Sequence, residues 1–396
     1  MSSHTRQSRA SADVEMAHFW QEGGGKRMLE ELFADFHSRN PGVEVTDQAN
    51  TIDDHGMLIK SQILQESPPP VFVEWPGQNM VPYNEAGALR DVSDLWADNG
   101  WAEAFIEGPR ERVQMDGSYY GVPIDIHRMN NLFYHVDMVE ERGIDPARVD
   151  SPGEFLEVLE GCEDGDVIGM EQPMKNPSDV LQLFANIVIG EFGAETYRGI
   201  TQGETRSYES ELRRSVELLD AYADLAREDA TFVDMVEANG RFMEGESVFF
   251  HQGDWMAGSY EDRADFEYGR DWDHAVFPGT EDVFMLSTDA LVAAEGADFD
   301  EDARAFLEFM ASPGAQKTLN RIKGSIPPRR DVDLGDYPEI LREQFRDFEA
   351  ASHFPAGHAL QITPDAFVDA KVAALEFVTT RDVDRTTRAL LDAYGN

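Results

Sequence analysis

The side chains best placed to do chemistry in this chain are tryptophans and polar groups at the ends of apolar runs. Trp20 ends the run at residues 14–20, Trp75 follows residues 71–74, and Trp255 follows residues 247–251. Three of the six Trp in such positions are hard to explain by core packing alone, although a packed or surface ring is the plain alternative at each. Acids stand beside them: Glu22 near Trp20, Glu74 before Trp75 and Asp254 before Trp255. Asp254 would serve equally as the N-cap of a following turn. Asp289 interrupts the apolar residues of LSTDAL, and Lys323 is one of only six lysines in a chain that otherwise uses Arg. His127, Arg128, Asn130 and Asn131 form a polar break between residues 119–126 and 132–134. Such a row is costly if buried unpaired. It suits a strand crossing that faces a cleft, or an ordinary polar loop. These groups do noncovalent chemistry: rings stack, and charged groups make hydrogen bonds roughly twice as strong as neutral ones. Motifs of covalent chemistry are absent. Neither G-x-S-x-G nor H-E-x-x-H occurs, GGGK at 23–26 lacks the Walker spacing, and the ten His show no metal-ligand spacing.

Elements to hold these groups follow from hydrophobic period. Residues 14–20 are expected as a strand and QEGGGK at 21–26 as a turn. A helix then carries Met28, Leu29, Leu32, Phe33 and Phe36 on one face and stops at Asn40-Pro41-Gly42. Val43 and Val45 open the next strand, and a strand-helix-strand start implies a parallel sheet. Residues 57–64 form a second helix and 71–73 a buried strand. Asp116-Gly117 marks a tight hairpin, and residues 119–126 a strand. A second body holds a helix with Leu212, Val216, Leu219 and Ala223 and a strand at 247–251. Short strands at 283–286 and 290–294, helices at 303–310 and 316–322, and a helical tail at 364–394 complete the chain. Trp96 and Trp101 are expected to pack; Trp272 carries no expectation. Three segments look like crossings, at 126–131, 285–289 and 324–329, the last with Pro327-Pro328 to set its direction. Three crossings mean two lobes of discontinuous sequence with a hinge.

The chain has 396 residues, which suggests two domains, and 41% hydrophobic content, enough for real cores. Net charge is −44, from 77 acidic and 33 basic residues interleaved with apolar ones, so the acids coat a folded body. This acid-rich, Lys-poor surface resembles that of proteins from salt-loving archaea, where a Debye length of about 3 Å screens self-repulsion. It argues against nucleic acid and against anionic lipid as partners. Cys162 is the one cysteine, in GCEDGD, so it forms no intrachain disulfide and reads as a structural thiol. No run of 18 apolar residues exists to span a membrane. The start, MSSHTRQSRASADVEM, lacks the apolar core of a signal peptide.

In order along the chain, FWQEGGGK, NPGVEV, VFVEWPGQ, DGSYYGVPIDIHRMN, HQGDWMAGSY, FPGTEDVFMLSTDA, KGSIPPR and GHALQITPDAF resemble the carbohydrate-binding, glucose- and mannose-type branch of ABC-transporter extracellular solute-binding proteins. The resemblance implies an α/β fold of the periplasmic-binding-protein type II class, with two α/β lobes, three hinge crossings and a ligand cleft between the lobes. The lobes would be residues 12–126 with 288–324, and 127–287 with 325–396. It implies a sugar ligand, a monosaccharide such as glucose or a short oligosaccharide, delivered to the membrane subunits of an ABC permease. The protein would be a monomer with no catalytic residue, metal or cofactor. It would act outside the cell, with a leader and lipid-anchor cysteine ahead of this chain; a cytoplasmic place is the alternative. By similarity His127, Asp289, Lys323 and His358 are expected to bind sugar hydroxyls, His358 one residue off register. Trp20, Glu22, Glu74, Trp75, Asn130, Asp254 and Trp255 complete the expected ligand set, placed where open α/β sheets hold ligands. Two departures stand out: Glu22 precedes the glycines where the family has an acid after them, and Trp75 stands where glucose binders can carry His. Two other functions fit some residues. Glu22, Asp254 and Asp289 would be the carboxylates of a carbohydrate-active enzyme, whose pair stands about 5–9 Å apart. A cytoplasmic sugar sensor is the other.

Overall fold

The computed structural model describes residues 12–21, 23–162, 164–165, 167–260 and 263–395. In chain order its strands are β1 (Ala12–His18), β2 (Val43–Ala49), β3 (Val71–Glu74), β4 (Gln114–Met115), β5 (Ser118–Tyr119), β6 (Gly121–Pro123), β7 (His127–Arg128), β8 (Asn131–His135), β9 (Ile168–Glu171), β10 (Ser247–His251), β11 (Trp272–Val276), β12 (Leu286–Ser287) and β13 (Ala290–Ala293). The chain divides into two units, Met1–Ile126 with Thr288–Tyr337 and His127–Ser287 with Pro338–Asn396.

The first unit holds a sheet of order β2-β1-β3-β13-β6. β1 runs parallel to β2 and β3, because helices Gly23–Arg39 and Ile52–Leu64 return the chain to the same end. β13 lies antiparallel between β3 and β6. β3 is buried along its whole length, so Val71, Phe72 and Val73 are a continuous apolar run rather than an alternating one. Helix Gly23–Arg39 buries Met28, Leu29, Leu32 and Phe36, and Phe36 meets Phe306 edge-on at 5.2 Å. Trp96 and Trp101 pack edge to face at 5.7 Å, and Trp96 Nε1 donates to Gly121 O at 3.1 Å. In the hairpin β4–β5, Asp116 and Gly117 have φ of 51° and 85°. Two positive φ values match the right-handed twist of a two-residue turn.

Two expectations for this unit are corrected. The glycines of QEGGGK begin the helix instead of forming a free turn. A Cβ on Gly24 would come within 2.8 Å of Ile322 O, and one on Gly25 within 2.8 Å of Trp20 Cβ. Their lack of side chains thus lets the helix start lie against both. The unit also ends at Tyr337, not at residue 324. Ile126 and Ile326 exchange backbone hydrogen bonds at 2.9 and 3.1 Å, Ile106 N donates to Pro328 O, and Tyr337 donates to Lys317 O. Those bonds hold the Pro327-Pro328 stretch to the first unit.

The second unit is built on a sheet of order β11-β8-β10-β9. β8 is antiparallel to β10 and β11, and β9 is parallel to β10. Trp272 is buried on β11 and donates to Phe266 O at 3.2 Å. Helix Pro177–Phe192 buries Val180 through Ile189, and helix Glu209–Asp224 buries Leu212, Val216 and Leu219. The tail is two helices, Pro364–Thr380 and Val383–Tyr394, broken where Arg381 takes φ 54° and Asp382 caps the next turn. The strand expected at 283–286 is only Leu286–Ser287, paired with β7, while Phe284 N and Leu286 N bond to His353 O and Pro355 O. Cys162 is buried, and burial pushes its thiol up to about 11.

Gly121 tests the β6–β13 packing. A Cβ there would meet Leu291 O at 2.6 Å, backbone that has no room to give. Gly121→Ala is expected to cost about 1–3 kcal/mol, read as a lower thermal midpoint in molar KCl.

Candidate functional site

In the first unit, antiparallel β13 brings three segments together at one end of the sheet. Ala290 pairs with Glu74 and with Pro123, so Asp289 sits beside the end of β3 and the exit of β6. Helix Pro313–Lys323 ends at the same place, where Gly324 takes φ 83° and closes it. A cation in a last helical turn is favoured by the helix dipole. Lys323 Nζ donates to Asp289 Oδ2 at 2.6 Å and to Asp125 Oδ2. Asp125 Oδ1 accepts from Asp289 N at 2.7 Å, and Thr288 Oγ1 donates to Asp125 O at 2.6 Å. Asp125, Asp289 and Lys323 are 0%, 6% and 9% exposed, so this is a buried three-residue ion cluster. Burial by itself would lower the Lys323 pKa, but the charges of Asp125 and Asp289 raise it, so the ammonium keeps its proton. Asp125 was missing from the expected set. Its signal was a lone acid between Ile124 and Ile126, the same signal that marked Asp289.

The Trp20 ring lies beside the cluster, and further rings pack against it. Lys323 Nζ lies 5.0 Å from the Trp20 ring centroid, within cation-π range. Trp20 is buried, stacks with His18 at 6.0 Å, and donates its backbone N–H to His18 Nδ1 at 3.2 Å. That bond makes Nδ1 the acceptor and leaves the proton of the neutral ring on Nε2. Trp75 is half-buried and keeps more of its face open than Trp20. Phe19 lies between the two, 5.5 Å from Trp20 and 5.9 Å from Trp75. Glu74 Oε1 accepts from Trp75 N at 2.9 Å. Burial pushes the Glu74 carboxyl up to about 7, against the pull of the Trp75 N–H and the Tyr83 hydroxyl. His55 is a further buried imidazole that sequence reasoning missed, held by Nε2 to Val73 O at 2.7 Å. Glu22 lies outside the described residues.

In the second unit, β7 and the turn after β10 form another polar group. Asp254 is 0% exposed. Its Oδ1 meets His127 Nδ1 at 2.6 Å, and its Oδ2 accepts from Arg128 N at 2.9 Å. Asp254 therefore orients His127; it neither caps the turn, whose N-cap is Gly253, nor presents its carboxylate to solvent. Trp255 is half-buried, with the His127 ring edge-on at 5.5 Å. Gly253 lets that ring fold back, since a Cβ there would lie 2.2 Å from it. Trp255 Nε1 is buried with no hydrogen-bond partner among the described residues.

Two expected contacts are turned inward. Asn130 donates to Thr280 Oγ1 and Val283 O, both at 2.9 Å, and accepts from Met285 N at 2.9 Å. A buried amide makes those bonds because leaving them unmade is expensive, and the result pins the loop before β12. His358 bonds through Nε2 to the Tyr394 hydroxyl at 2.7 Å and lies edge-on to Tyr197. Burial pushes its pKa down to about 3, so it is a neutral packing residue among the tail helices. The three carboxylates of the enzyme alternative fare likewise: Asp254 and Asp289 hold His127 and Lys323, and Glu22 lies outside the described residues.

Asp273, His274 and Glu343 in the second unit bring three potential metal ligands within 4.8 Å of one another, a grouping not visible as sequence spacing. Tyr268 sits among them, donating to Glu343 and lying 3.1 Å from His274 Nδ1. A cavity of about 330 Å³ beside them is lined by Arg128, His274, Glu343, Arg346 and Asp347 with Ala275 and Val276. Among the described residues, no helix is long and apolar enough to cross a membrane.

A model of the family described as bacterial extracellular solute-binding protein matches residues 31–342. The chain is 30% identical to the xylose/arabinose-binding protein XacG of Haloferax volcanii, over 97% of this chain and 85% of that one. It is 25% identical to an uncharacterized ABC transporter extracellular-binding protein of Pyrococcus horikoshii, over 96% of this chain and 87% of that one. Among solved structures, it is similar to the bacterial solute receptor AcbH, described as exclusive for β-D-galactopyranose, with TM-score 0.83 at 15% identity and 97% of both chains covered. A chitin oligosaccharide binding protein gives TM-score 0.83 at 14% identity, over 98% of this chain and 100% of that one. These likenesses show the two-lobed α/β fold of sugar-binding periplasmic proteins.

Glu74 has a pH signature. Its folded pKa of about 7 lies above the ordinary 4.5, so the folded state binds the proton more tightly. Stability is therefore lost as pH rises from 4.5 through 7, by on the order of 3 kcal/mol. Glu74→Gln is expected to match the parent near pH 4 and to exceed its thermal midpoint at pH 8.

Proposed function

Because the chain belongs to the bacterial extracellular solute-binding proteins, we propose that it captures a sugar outside the cell and hands it to the membrane subunits of an ABC permease. The observation that carries this reading is a pairing repeated in both units: a partly open tryptophan beside a buried, hydrogen-bonded polar group. In the first unit Trp75 stands beside Glu74, with Trp20 under Lys323 and Asp289. In the second, Trp255 stands beside His127, which Asp254 orients. A pyranose or furanose offers what both want, an apolar C–H face and a rim of hydroxyls. The buried Trp255 Nε1 without a partner supports a hydroxyl acceptor there. Each unit thus offers a ring and a hydrogen-bonded polar group to a sugar, and the sugar-bound form is the one the permease accepts. The protein works as a monomer, held at the cell surface by a lipid anchor, and its acidic coat suits molar salt.

The sugar is a monosaccharide or a short oligosaccharide. The sequence resemblance favours an aldohexose, and the named ligands of XacG favour a pentose. No observation favours hydrolysis, since the carboxylates nearest the rings hold a cation, an imidazole or a backbone N–H.

Calorimetry in molar KCl against xylose, arabinose, glucose, mannose, galactose and their short oligomers tests the reading. The expected result is micromolar or tighter binding of at least one sugar with no turnover. Trp75→Ala and Trp255→Ala should each weaken it by more than 1 kcal/mol, the scale of aromatic anchors. Absence of binding across the panel, or release of cleaved sugar, would overturn it.

A further inference from the structure

Helix Pro177–Phe192 is apolar along most of its length, yet Asp179, Gln182 and Asn186 interrupt it and are buried. Their spacing of three and then four residues puts them on one face. A buried polar stripe is costly unless its groups find partners. These find theirs in the two segments of the second unit that carry His127 and Trp255. Met129 O accepts from Gln182 Nε2 at 2.8 Å and from Asn186 Nδ2 at 3.0 Å. Asn186 Nδ2 also lies 2.8 Å from His251 Nε2, and Gln172 Oε1 lies 2.8 Å from His251 Nδ1. Gln172 Nε2 is committed to Pro173 O at 3.0 Å, so its acceptor oxygen faces His251. The imidazole proton therefore sits on Nδ1, and Nε2 accepts. Burial pushes the His251 pKa down to about 3, so the ring stays neutral and keeps that lone pair. Asn186 Nδ2 thus spends both protons, one on Met129 and one on His251. Along the same stripe Gln252 Nε2 donates to Asp179 Oδ1 at 3.1 Å, and Gln252 Oε1 accepts from Gly253 N at 2.9 Å.

We propose that Asn186 is a positioning residue that fixes His127 and Trp255 relative to each other for sugar binding. The proposal rests on the sugar-binding reading above. The two bonds of Asn186 go to Met129, two residues after His127, and to His251, four residues before Trp255. Gln182 by itself gives Met129 O a donor, so what Asn186 adds is the link from the crossing segment to the end of β10. Asp254 makes a second link between the same segments, through His127 Nδ1 and Arg128 N. Two links hold a pair of segments against rotation as well as separation, which one link does not. The position needs a neutral group with two donors: Leu matches the volume and has none, and a carboxylate would set oxygen against a carbonyl and a lone pair.

The test has a sugar-free arm and a sugar arm, both in molar KCl. In the free protein with isotope-labelled histidine, Asn186→Leu is expected to shift or broaden the His127 ring signals in NMR spectra and to leave those of His18, in the first unit, in place. By calorimetry with the sugar that the wild type binds, Asn186→Leu should weaken binding by about tenfold or more, the scale of a lost buried hydrogen bond with its partners left unpaired. In a His127→Ala background the same change should cost far less, because its effect passes through His127. Tyr222→Phe, which removes a buried bond to Pro152 O, should lower the thermal midpoint and leave affinity in place. Unmoved His127 signals in Asn186→Leu overturn the proposal. So does an affinity loss of the same factor with and without His127, or a lowered thermal midpoint with unchanged affinity, as a merely structural role predicts. If Asn186→Leu does not fold, Gln182→Met, which removes the other donor to Met129 O, is judged by the same His127 signals. A wild type that binds no sugar sinks the sugar-binding reading, and the sugar-free arm then decides the coupling separately.

Discussion

The ammonium of Lys323 between Asp125 and Asp289 is the interaction on which the first unit's functional end depends. It joins three stretches far apart in sequence: the exit of β6, the entry to β13 and the end of helix Pro313–Lys323. Removing the Lys323 ammonium would leave two buried carboxylates without their cation, a loss of about 3–5 kcal/mol. The three stretches must therefore arrive together, and they bring Trp20 and Glu74 into register with them. The same ends of the chain lie next to the points where it leaves the first unit at Ile126 and returns at Thr288. A single ion cluster thus ties the strand and helix ends of the first unit together at those points.

The second unit solves the same problem with one acid. Asp254 is buried and spends its two oxygens on the His127 imidazole and the Arg128 N–H. In both units an acid beside a tryptophan turned out to support another group. The reason is desolvation: a carboxylate next to a large ring loses water and must find donors from its own chain. What the buried acid supports is His127 in one unit and the Lys323 ammonium in the other.

The surface obeys a different rule. Its ion pairs are mostly Arg with exposed acids, such as Arg39 with Asp35 and Arg213 with Asp384. Pairs of this kind contribute little and fade in salt. The chain carries 77 acids against 33 bases, so the acids far outnumber the bases. The specific electrostatics reside in the few buried groups.

The sequence by itself determined the local elements and the residue types of the site. Helix Gly23–Arg39 was legible from Met28, Leu29, Leu32 and Phe36, and the buried β3 from Val71, Phe72 and Val73, because both periods are local properties of the backbone. Trp20, Trp75 and Trp255 were legible as strand-end rings for the same reason. Only the tertiary structure decided which polar groups are spent. Asn130, His358 and Asp254 have the right chemistry for a ligand, but their partners come from Thr280, Tyr394 and His127, distant in sequence and brought close by packing. Asp125 was passed over because its partner Lys323 lies 198 residues away. The turn expected at GGGK became a helix start because Ile322, again remote, lies against it. Hydrogen bonds and charges act through space over a few ångströms, whereas sequence order records only neighbours along the chain, so the site's residue types were readable and its division of labour was not.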